Sequence, residues 1–157
     1  MKVIKAPQEL DLGWFNIFLA GSIEMGKAED WQTRVTNALS DLNCVILNPR
    51  RDDWDSSWEQ KITNPQFKEQ VQWELRALEQ SDLIVMYFDP ATMSPISLLE
   101  LGLHAKDSGE DRHPELIVCC PEGFWRKGNV DIVCERYGVK QVNMIEDLIA
   151  EIRNRLD

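Results

Sequence analysis

A single carboxylate interrupts the most apolar stretch of the chain. Residues 94–105 read SPISLLELGLHA, so a helix over this stretch would be apolar on nearly every side except at Glu100. Burying a carboxylate without a partner is costly or raises its pKa. Glu100 therefore needs either a structural partner or a chemical role.

Two helix starts compete for this stretch, and they give Glu100 different roles. If Ser97 is the N-cap, Ser97 and Glu100 match the S-x-x-E capping box, in which the glutamate accepts from the N-cap amide. If Ser94 is the N-cap and Pro95 the first helical residue, Glu100 lies in the second turn and serves no cap. The sequence leaves both starts open.

A second carboxylate, Glu74, interrupts an apolar stripe on the preceding predicted helix. The stripe has helical spacing and consists of Phe67, Val71, Glu74 and Leu78. Two glutamates with separated pKa values suit displacement at an anomeric carbon, where one attacks and the other handles the proton of the leaving group. The alternative is that Glu74 lies at the edge of the exposed surface.

Apolar runs that alternate with amphipathic segments predict the elements that position these two residues. Five strands are predicted, at residues 15–21, 44–49, 82–89, 115–120 and 139–143. Helices are predicted at residues 31–42, 65–81, 94–105, 129–137 and 145–156. The two glutamates then lie on helices that flank the third strand.

Strands that alternate with helices over the whole length favour a doubly wound parallel sheet, because right-handed crossovers place helices on both faces. We expect an α/β, Rossmann-like fold with five parallel strands in the flavodoxin-like order 2-1-3-4-5. Residues 1–157 are interpreted as one domain, in which residues 1–13 form a small extra strand or a hairpin at an edge, or an extension. Ligands of such sheets bind beyond the carboxyl ends of the strands, where the strand order reverses.

Polar residues follow the first three predicted strands and are the candidates for substrate binding. They are Gly21, Ser22, Asn48, Arg50, Asp53, Trp54, Asp89 and Ser94. Gly21 allows a ligand to approach the backbone, Arg50 offers a cation, and Trp54 offers a stacking face. The alternatives are turn formation at Asn48 and Asp89, each followed by proline, and a solvated charged loop after the second strand.

Composition limits the class of partner. The net charge of −10 over 157 residues argues against binding to a nucleic acid polymer. No apolar run approaches the roughly 20 residues of a membrane span, and the N-terminus lacks the apolar stretch of a secretory signal. A small molecule, no membrane and a cytoplasmic location are therefore expected.

No cofactor or metal is expected either. The four cysteines fall in no paired CxxC spacing and are predicted to be reduced and mostly buried; they are Cys44, Cys119, Cys120 and Cys134. The glycine-rich loops GxGxxG and GxxxxGK[ST] are absent from the sequence. Chemistry by the chain's own carboxylates is the remaining hypothesis.

Four segments carry a resemblance to a known family, and these are FLAGSIEMGKAEDWQ, NPRRDDWD, QVQWELRALEQSDLIVMYFDP and SPISLLELGLHA. Over residues 15–106 the chain resembles the nucleoside 2-deoxyribosyltransferase-like proteins, whose superfamily also holds the 2'-deoxynucleoside 5'-phosphate N-hydrolases. The resemblance implies the doubly wound fold. It also implies that Glu100, in the family's E-[LI]-G motif, attacks C1' of a deoxyribosyl group, while Glu74 delivers a proton to the departing base.

The chain departs from the family pattern at two positions. Ser94 stands where the transferases often carry an aspartate, and Phe18 stands where a tyrosine supports the nucleophile from the first strand. Backbone amides at the start of the helix are expected to help keep Glu100 ionised. His104, one turn after Glu100, is interpreted as a packed or supporting residue.

Several alternatives stay open. Because the two departures remove polar groups, a non-catalytic nucleotide-binding or regulatory module on the same fold is the rival hypothesis. Within the enzyme hypothesis, transfer to a second base and hydrolysis by water are both possible outcomes, and a nucleoside is weakly preferred over a nucleotide as substrate. A homodimer or higher homo-oligomer is expected by analogy with the family.

Overall fold

The structure is a computed structural model that describes residues 1–24, 28–107 and 114–156. Its strands are β1 (Lys2–Lys5), β2 (Asn16–Gly21), β3 (Val45–Asn48), β4 (Leu83–Tyr87), β5 (Glu115–Cys119) and β6 (Lys140–Val142). Its helices are α1 (Trp31–Ala38), α2 (Pro65–Gln80), α3 (Pro95–His104), α4 (Lys127–Tyr137) and α5 (Ile145–Arg153), and a 3-10 turn spans Ala105–Asp107.

All strand pairs of the sheet are parallel, and the order is β1-β3-β2-β4-β5-β6. The five predicted strands keep their predicted relative order, as β3-β2-β4-β5-β6, but the predicted number of strands is wrong because the sheet has six within the residues that the structure describes. The missing strand is β1, which pairs with β3 at one edge, from Lys2 beside Val45 to Lys5 beside Asn48. Only Ile4 of β1 is fully buried, so the apolar pattern of this strand is too short to predict a strand with certainty from the sequence.

Helices cover both faces of the sheet, as the sequence predicts. One core lies between the sheet and α2, α3 and α4, and it includes Trp73, Leu101 and Val130. The other core lies between the sheet and α1 and α5, and it includes Val35 and Leu148. Since α2 and α3 share one face, the residues that they turn inward can meet above the central strands.

The central strands are apolar because helices cover both of their faces. Every residue of β4 is buried, which explains why its sequence shows no alternation of polar and apolar residues. All four cysteines are buried and free, as predicted. Within the described ranges, no helix combines the length and the apolarity needed to cross a membrane.

Candidate active site

α3 places Glu100 in its second turn. The helix begins at Pro95, and Ser94 occupies the N-cap position in a left-handed conformation with a φ of 47°. The structure thus has the start at Ser94 and Pro95, and Ser97 lies inside the helix. The capping box between Ser97 and Glu100 does not form, so a cap does not explain the glutamate.

Glu100 is a buried carboxyl group with a strongly perturbed pKa. Only 8% of the residue is exposed. Burial, and to a lesser extent the nearby charge of Glu74, together raise the pKa of Glu100 to about 8. The expected help from the helix amides is therefore not observed: Glu100 holds its proton at neutral pH in the free protein.

Glu74 lies on α2, which starts at Pro65 after the N-cap Asn64. Its carboxylate Oε1 accepts a 2.7 Å hydrogen bond from Nε2 of Gln70, one helical turn earlier. The same nitrogen of Gln70 donates to the carbonyl oxygen of Pro49 at 2.9 Å, which ties α2 to the end of β3. Burial raises the pKa of Glu74, while the Gln70 hydrogen bond opposes that shift.

The two carboxyl groups interact, so they titrate as a pair. Once the first group loses its proton, repulsion between like charges makes the second group hold its proton more tightly. Gln70 stabilises an anion at Glu74, and this favours Glu74 as the first group to ionise. The pair can therefore supply one carboxylate and one carboxylic acid at the same time, which is what displacement with protonation of a leaving group requires.

Three hydroxyl groups join the loops that follow β2 and β4. Ser22 Oγ lies 2.8 Å from Thr92 Oγ1 and 2.5 Å from Ser94 Oγ, and the last two atoms are 2.7 Å apart. Thr92 also donates to the carbonyl oxygen of Asp89 at 2.9 Å, and Ser22 accepts from the Asp89 amide at 2.9 Å. The hydroxyls of the predicted substrate ligands Ser22 and Ser94 are thus engaged with the protein itself.

Asp89 is also bound within the protein. Its two carboxylate oxygens accept hydrogen bonds from the backbone amides of Glu29, at 2.9 Å, and Ala91, at 2.8 Å. The bond to Ala91 is the local turn that was the alternative for this residue. The bond to Glu29 holds the start of α1 against the end of β4.

Gly21 is needed for strand packing. It has a φ of 130°, and a Cβ atom at this position would lie 2.3 Å from the carbonyl oxygen of Tyr87 on the neighbouring strand. No side chain fits that gap. This contact explains the glycine without reference to a ligand.

A carboxylate that the sequence analysis did not single out binds at the start of α3. Oε1 of Glu24 accepts hydrogen bonds from the backbone amides of Met93 and Ser94, both at 2.8 Å. Ser94 is the N-cap residue and Met93 precedes it, so their amides have no partner within the helix and lie beside the positive end of its dipole, which favours an anion. Glu24 fills this anion-accepting position.

The loop after β3 contains two arginines with different surroundings. The Arg51 side chain is 7% exposed, binds Asp53 and Glu69 at 2.6 and 3.1 Å, and lies over the ring of Trp58. Arg51 and the predicted substrate ligand Asp53 therefore stabilise the loop through contacts with the protein itself. Trp54 packs edge-on against Trp58, with ring centroids 5.1 Å apart.

The guanidinium of Arg50 is held less closely by acidic residues than that of Arg51. Its Nε lies 3.9 Å from Oδ1 of Asp30 and is buried without a hydrogen bond. The Arg50 amide donates to Oδ1 of Asn48 at 2.9 Å, so the Asn48 side chain shapes the turn that follows β3. Of the two arginines, Arg50 is thus the one that retains the capacity to bind a ligand.

Phe18 and His104 add no charge beside the two glutamates. Phe18 is buried and packs against Trp73, with ring centroids 6.5 Å apart. Burial lowers the pKa of His104, which is half-buried on α3, and so favours its neutral form. Its position agrees with the interpretation as a packed residue.

Residues that the sequence analysis missed hold the predicted ones in place. Gln70 was detectable in principle, because the spacing from Gln70 to Glu74 is one helical turn. Thr92 and Glu24 had no such signal, because their contacts join loops that are distant in sequence. Only the arrangement of the strands brings these loops together.

The fold has a counterpart among solved structures. The crystal structure of a conserved protein from Enterococcus faecalis V583 aligns with a TM-score of 0.62 and 16% sequence identity, over 90% of this chain and 99% of that chain. At this identity the likeness concerns the fold alone. A comparison with curated proteins gives no match.

The family comparison covers both glutamates and the loops around them. The family described as "Nucleoside 2-deoxyribosyltransferase like" matches residues 14–124, which is well over half of the chain. The matched part runs from the start of β2 to the loop before α4, and it supports a general nucleoside-related function. The chain belongs to the nucleoside 2-deoxyribosyltransferase-like family.

Proposed function

We propose that this protein breaks the N-glycosidic bond of a 2'-deoxynucleoside or its nucleotide, with Glu100 as the nucleophile and Glu74 as the proton donor. The observation that carries the proposal is the pair itself: the buried carboxyl group of Glu100 and the half-buried one of Glu74, whose charge raises the pKa of Glu100, on neighbouring helices of a chain in the deoxyribosyltransferase-like family. A pair that shares one proton supplies the nucleophile and the acid together.

In the first step, a carboxylate oxygen of Glu100 attacks C1' of the sugar. The bond between C1' and the base nitrogen breaks, and its electron pair leaves with the base, which takes the proton from Glu74. The product is a glycosyl ester on Glu100, and Glu74 is left as a carboxylate. The positive charge that develops at C1' stabilises the Glu100 anion during this step.

In the second step, Glu74 acts as the base. It takes a proton from water or from an acceptor base, which attacks C1', and the ester bond between C1' and Glu100 breaks. Water gives free 2-deoxyribose, whereas an acceptor base gives a new deoxynucleoside. Both outcomes return Glu100 to the carboxylate form and Glu74 to the acid form.

The first step requires the proton to reside on Glu74, although Gln70 favours the anion there in the free protein. The net charge of the pair is the same in both arrangements, so only the position of one proton has to change. A substrate that brings C1' to Glu100 favours the anion at Glu100 and leaves the proton at Glu74. Substrate binding thereby prepares the pair for reaction.

The test is release of free base from a panel of 2'-deoxynucleosides and their 5'-monophosphates. We expect Glu100→Gln to abolish release and Glu74→Gln to lower kcat/KM by about 10²–10⁴-fold, the usual contribution of general acid–base catalysis. The matched control is Glu79→Gln, which removes an exposed carboxylate from α2. An added acceptor base distinguishes transfer from hydrolysis, because only a transferase forms a new nucleoside.

The rival function is a nucleotide-binding or regulatory module without turnover. The lack of a hydroxyl at Phe18 favours it, because no tyrosine is available to support the nucleophile from β2. If wild-type protein binds deoxynucleosides or monophosphates but releases no base from any of them, the enzyme proposal is wrong and the module is the better description.

The proposal includes a homodimer or a higher homo-oligomer. Three apolar side chains form a stripe along the outer side of α3, the helix that carries Glu100: Ile96, Leu99 and Leu103, which are 60%, 60% and 52% exposed. A helix that is apolar on all sides is usually covered on all sides. Light scattering of the wild type and of a Leu99→Glu variant tests this, and a monomeric wild type contradicts it.

A further inference from the structure

The start of α3 holds an anion supplied by the chain itself. The amides of Met93 and Ser94 both donate to Oε1 of Glu24, and this carboxylate comes from the loop after β2. The loops after β2 and β4 are the two that border the reversal in strand order, where ligands of doubly wound sheets bind. Glu24 thus occupies a position where an anionic ligand could otherwise bind.

The separation of Ser94 and Glu100 along α3 is comparable with the size of the proposed substrate. Ser94 precedes Glu100 by six residues, which corresponds to about 9 Å along a helix with a rise of ~1.5 Å per residue. A deoxyribosyl group with C1' at Glu100 can extend its 5' end toward the start of α3. A 5'-phosphate would then approach the amides that Glu24 already holds.

The surrounding charges are also unfavourable for a phosphate. Asp89, whose carboxylate accepts from the amides of Glu29 and Ala91, adds a second acidic group beside these two loops. The three hydroxyls nearest to the α3 start, those of Ser22, Thr92 and Ser94, already bond to one another. A neutral 5'-hydroxyl meets no such obstacle, because it can donate a hydrogen bond to the Glu24 carboxylate.

We infer that Glu24 is a specificity determinant: by filling the anion-accepting amides of Met93 and Ser94, it excludes 5'-phosphorylated substrates and directs the site to neutral 2'-deoxynucleosides. This inference rests on the proposed function and narrows it to one of the two substrate classes. Glu24 acts here through repulsion and occupancy, without taking part in bond breaking.

The kinetic test compares kcat/KM for a 2'-deoxynucleoside with that for its 5'-monophosphate. Wild-type protein favours the nucleoside, and Glu24→Ala shifts the ratio toward the monophosphate by about tenfold or more, or ~1.4 kcal/mol. Glu24→Gln gives an intermediate ratio, because its amide oxygen still accepts from both backbone amides but carries no charge. The control is Glu29→Gln in the same loop, where the side chain contacts Arg34, and it leaves the ratio unchanged.

A binding test keeps this inference separate from the proposed reaction. Calorimetry with 2'-deoxyribose 5-phosphate should detect binding to Glu24→Ala at concentrations where wild type and Glu29→Gln show none. If no variant releases base, the proposed function fails, and this binding comparison still decides the role of Glu24. If Glu24→Ala does not fold, as judged by thermal melting, Glu24→Gln replaces it. Equal binding by wild type and the folded variant, or an unchanged kinetic ratio, overturns the inference.

Discussion

Gln70 donates a 2.7 Å hydrogen bond to Glu74 from one turn earlier on α2, and the same nitrogen holds the carbonyl of Pro49. The bond opposes the effect of burial on the pKa of Glu74. We expect Gln70→Met to raise that pKa, and the acid limb of the pH profile for base release then moves to higher pH. Gln66→Met, at an exposed position of α2, is the control, and an unmoved acid limb in Gln70→Met contradicts the assignment.

The alkaline limb of the same profile depends on the last proton of the pair. Because the pKa of Glu100 is raised to about 8, the singly protonated pair persists up to that pH and is lost above it. We therefore expect kcat/KM for base release to fall above about pH 8, because the pH dependence of kcat/KM reports the pKa values of essential groups in the free enzyme. In Glu74→Gln the residual activity should lose this alkaline limb, because no titratable acid remains to donate a proton.

The pH dependence of folding stability should reflect the same shift in the pKa of Glu100. Glu100 titrates at about 8 in the folded protein against 4.5 when unperturbed, so the folded state keeps a proton that the unfolded chain releases between these values. Its contribution to stability is complete below about pH 4.5, and then declines by up to about 1.4 kcal/mol per pH unit until about pH 8.

Urea unfolding between pH 5 and 9 measures this decline. Glu100→Gln should flatten it and be more stable than wild type at pH 8 and above, since glutamine has no charge to bury. Glu135→Gln, at an exposed position of α4, serves as the control and should retain the wild-type slope. A slope that is the same in all three proteins would show that Glu100 is ionised throughout.

Two glycines give a matched pair of stability predictions. Gly21→Ala should destabilise the fold by about 3 kcal/mol or more, because strain at positive φ adds to a clash with the Tyr87 backbone. Gly102→Ala should instead stabilise the fold by about 0.5–1 kcal/mol, since its position is helical and, apart from its chain neighbours and the helix's own backbone, no atom lies within 4 Å of the added carbon. Chemical denaturation of both variants measures the difference.

The sequence predicted most of the elements because their patterns are long. The stripe of α2 and the unbroken apolar run of β4 each extend over several residues, so both elements and their order follow from periodicity. The face of α2 was predicted less well: Phe67, Val71 and Glu74 are half-buried, and the buried residues are Gln70, Trp73, Ala77 and Leu78. β1 was left undecided between a strand, a hairpin and an extension, because a single fully buried residue, Ile4, defines its inner side. Such a strand is specified by the neighbouring strand that it pairs with.

The candidate site was predictable in part. The sequence showed two carboxylates within apolar stripes, and the structure buries Glu100 and half-buries Glu74, which raises the pKa of both. Glu24 was not visible, because its role depends on amides 69 and 70 residues later in the chain. The protonation of Glu100 was also misjudged, since burial outweighs the helix amides when the side chain lies a full turn past them.

The triangle of Ser22, Thr92 and Ser94 determines how this region can respond to a change in charge. Thr92 donates its hydroxyl hydrogen to the carbonyl oxygen of Asp89, so it can only accept within the triangle, whereas the contact between Ser22 and Ser94 can be made with either oxygen as the donor. The donor and acceptor roles of Ser22 and Ser94 can therefore exchange while the three oxygen atoms stay in place. The junction between the two loops can thus adapt its local dipoles to a change in charge without backbone movement.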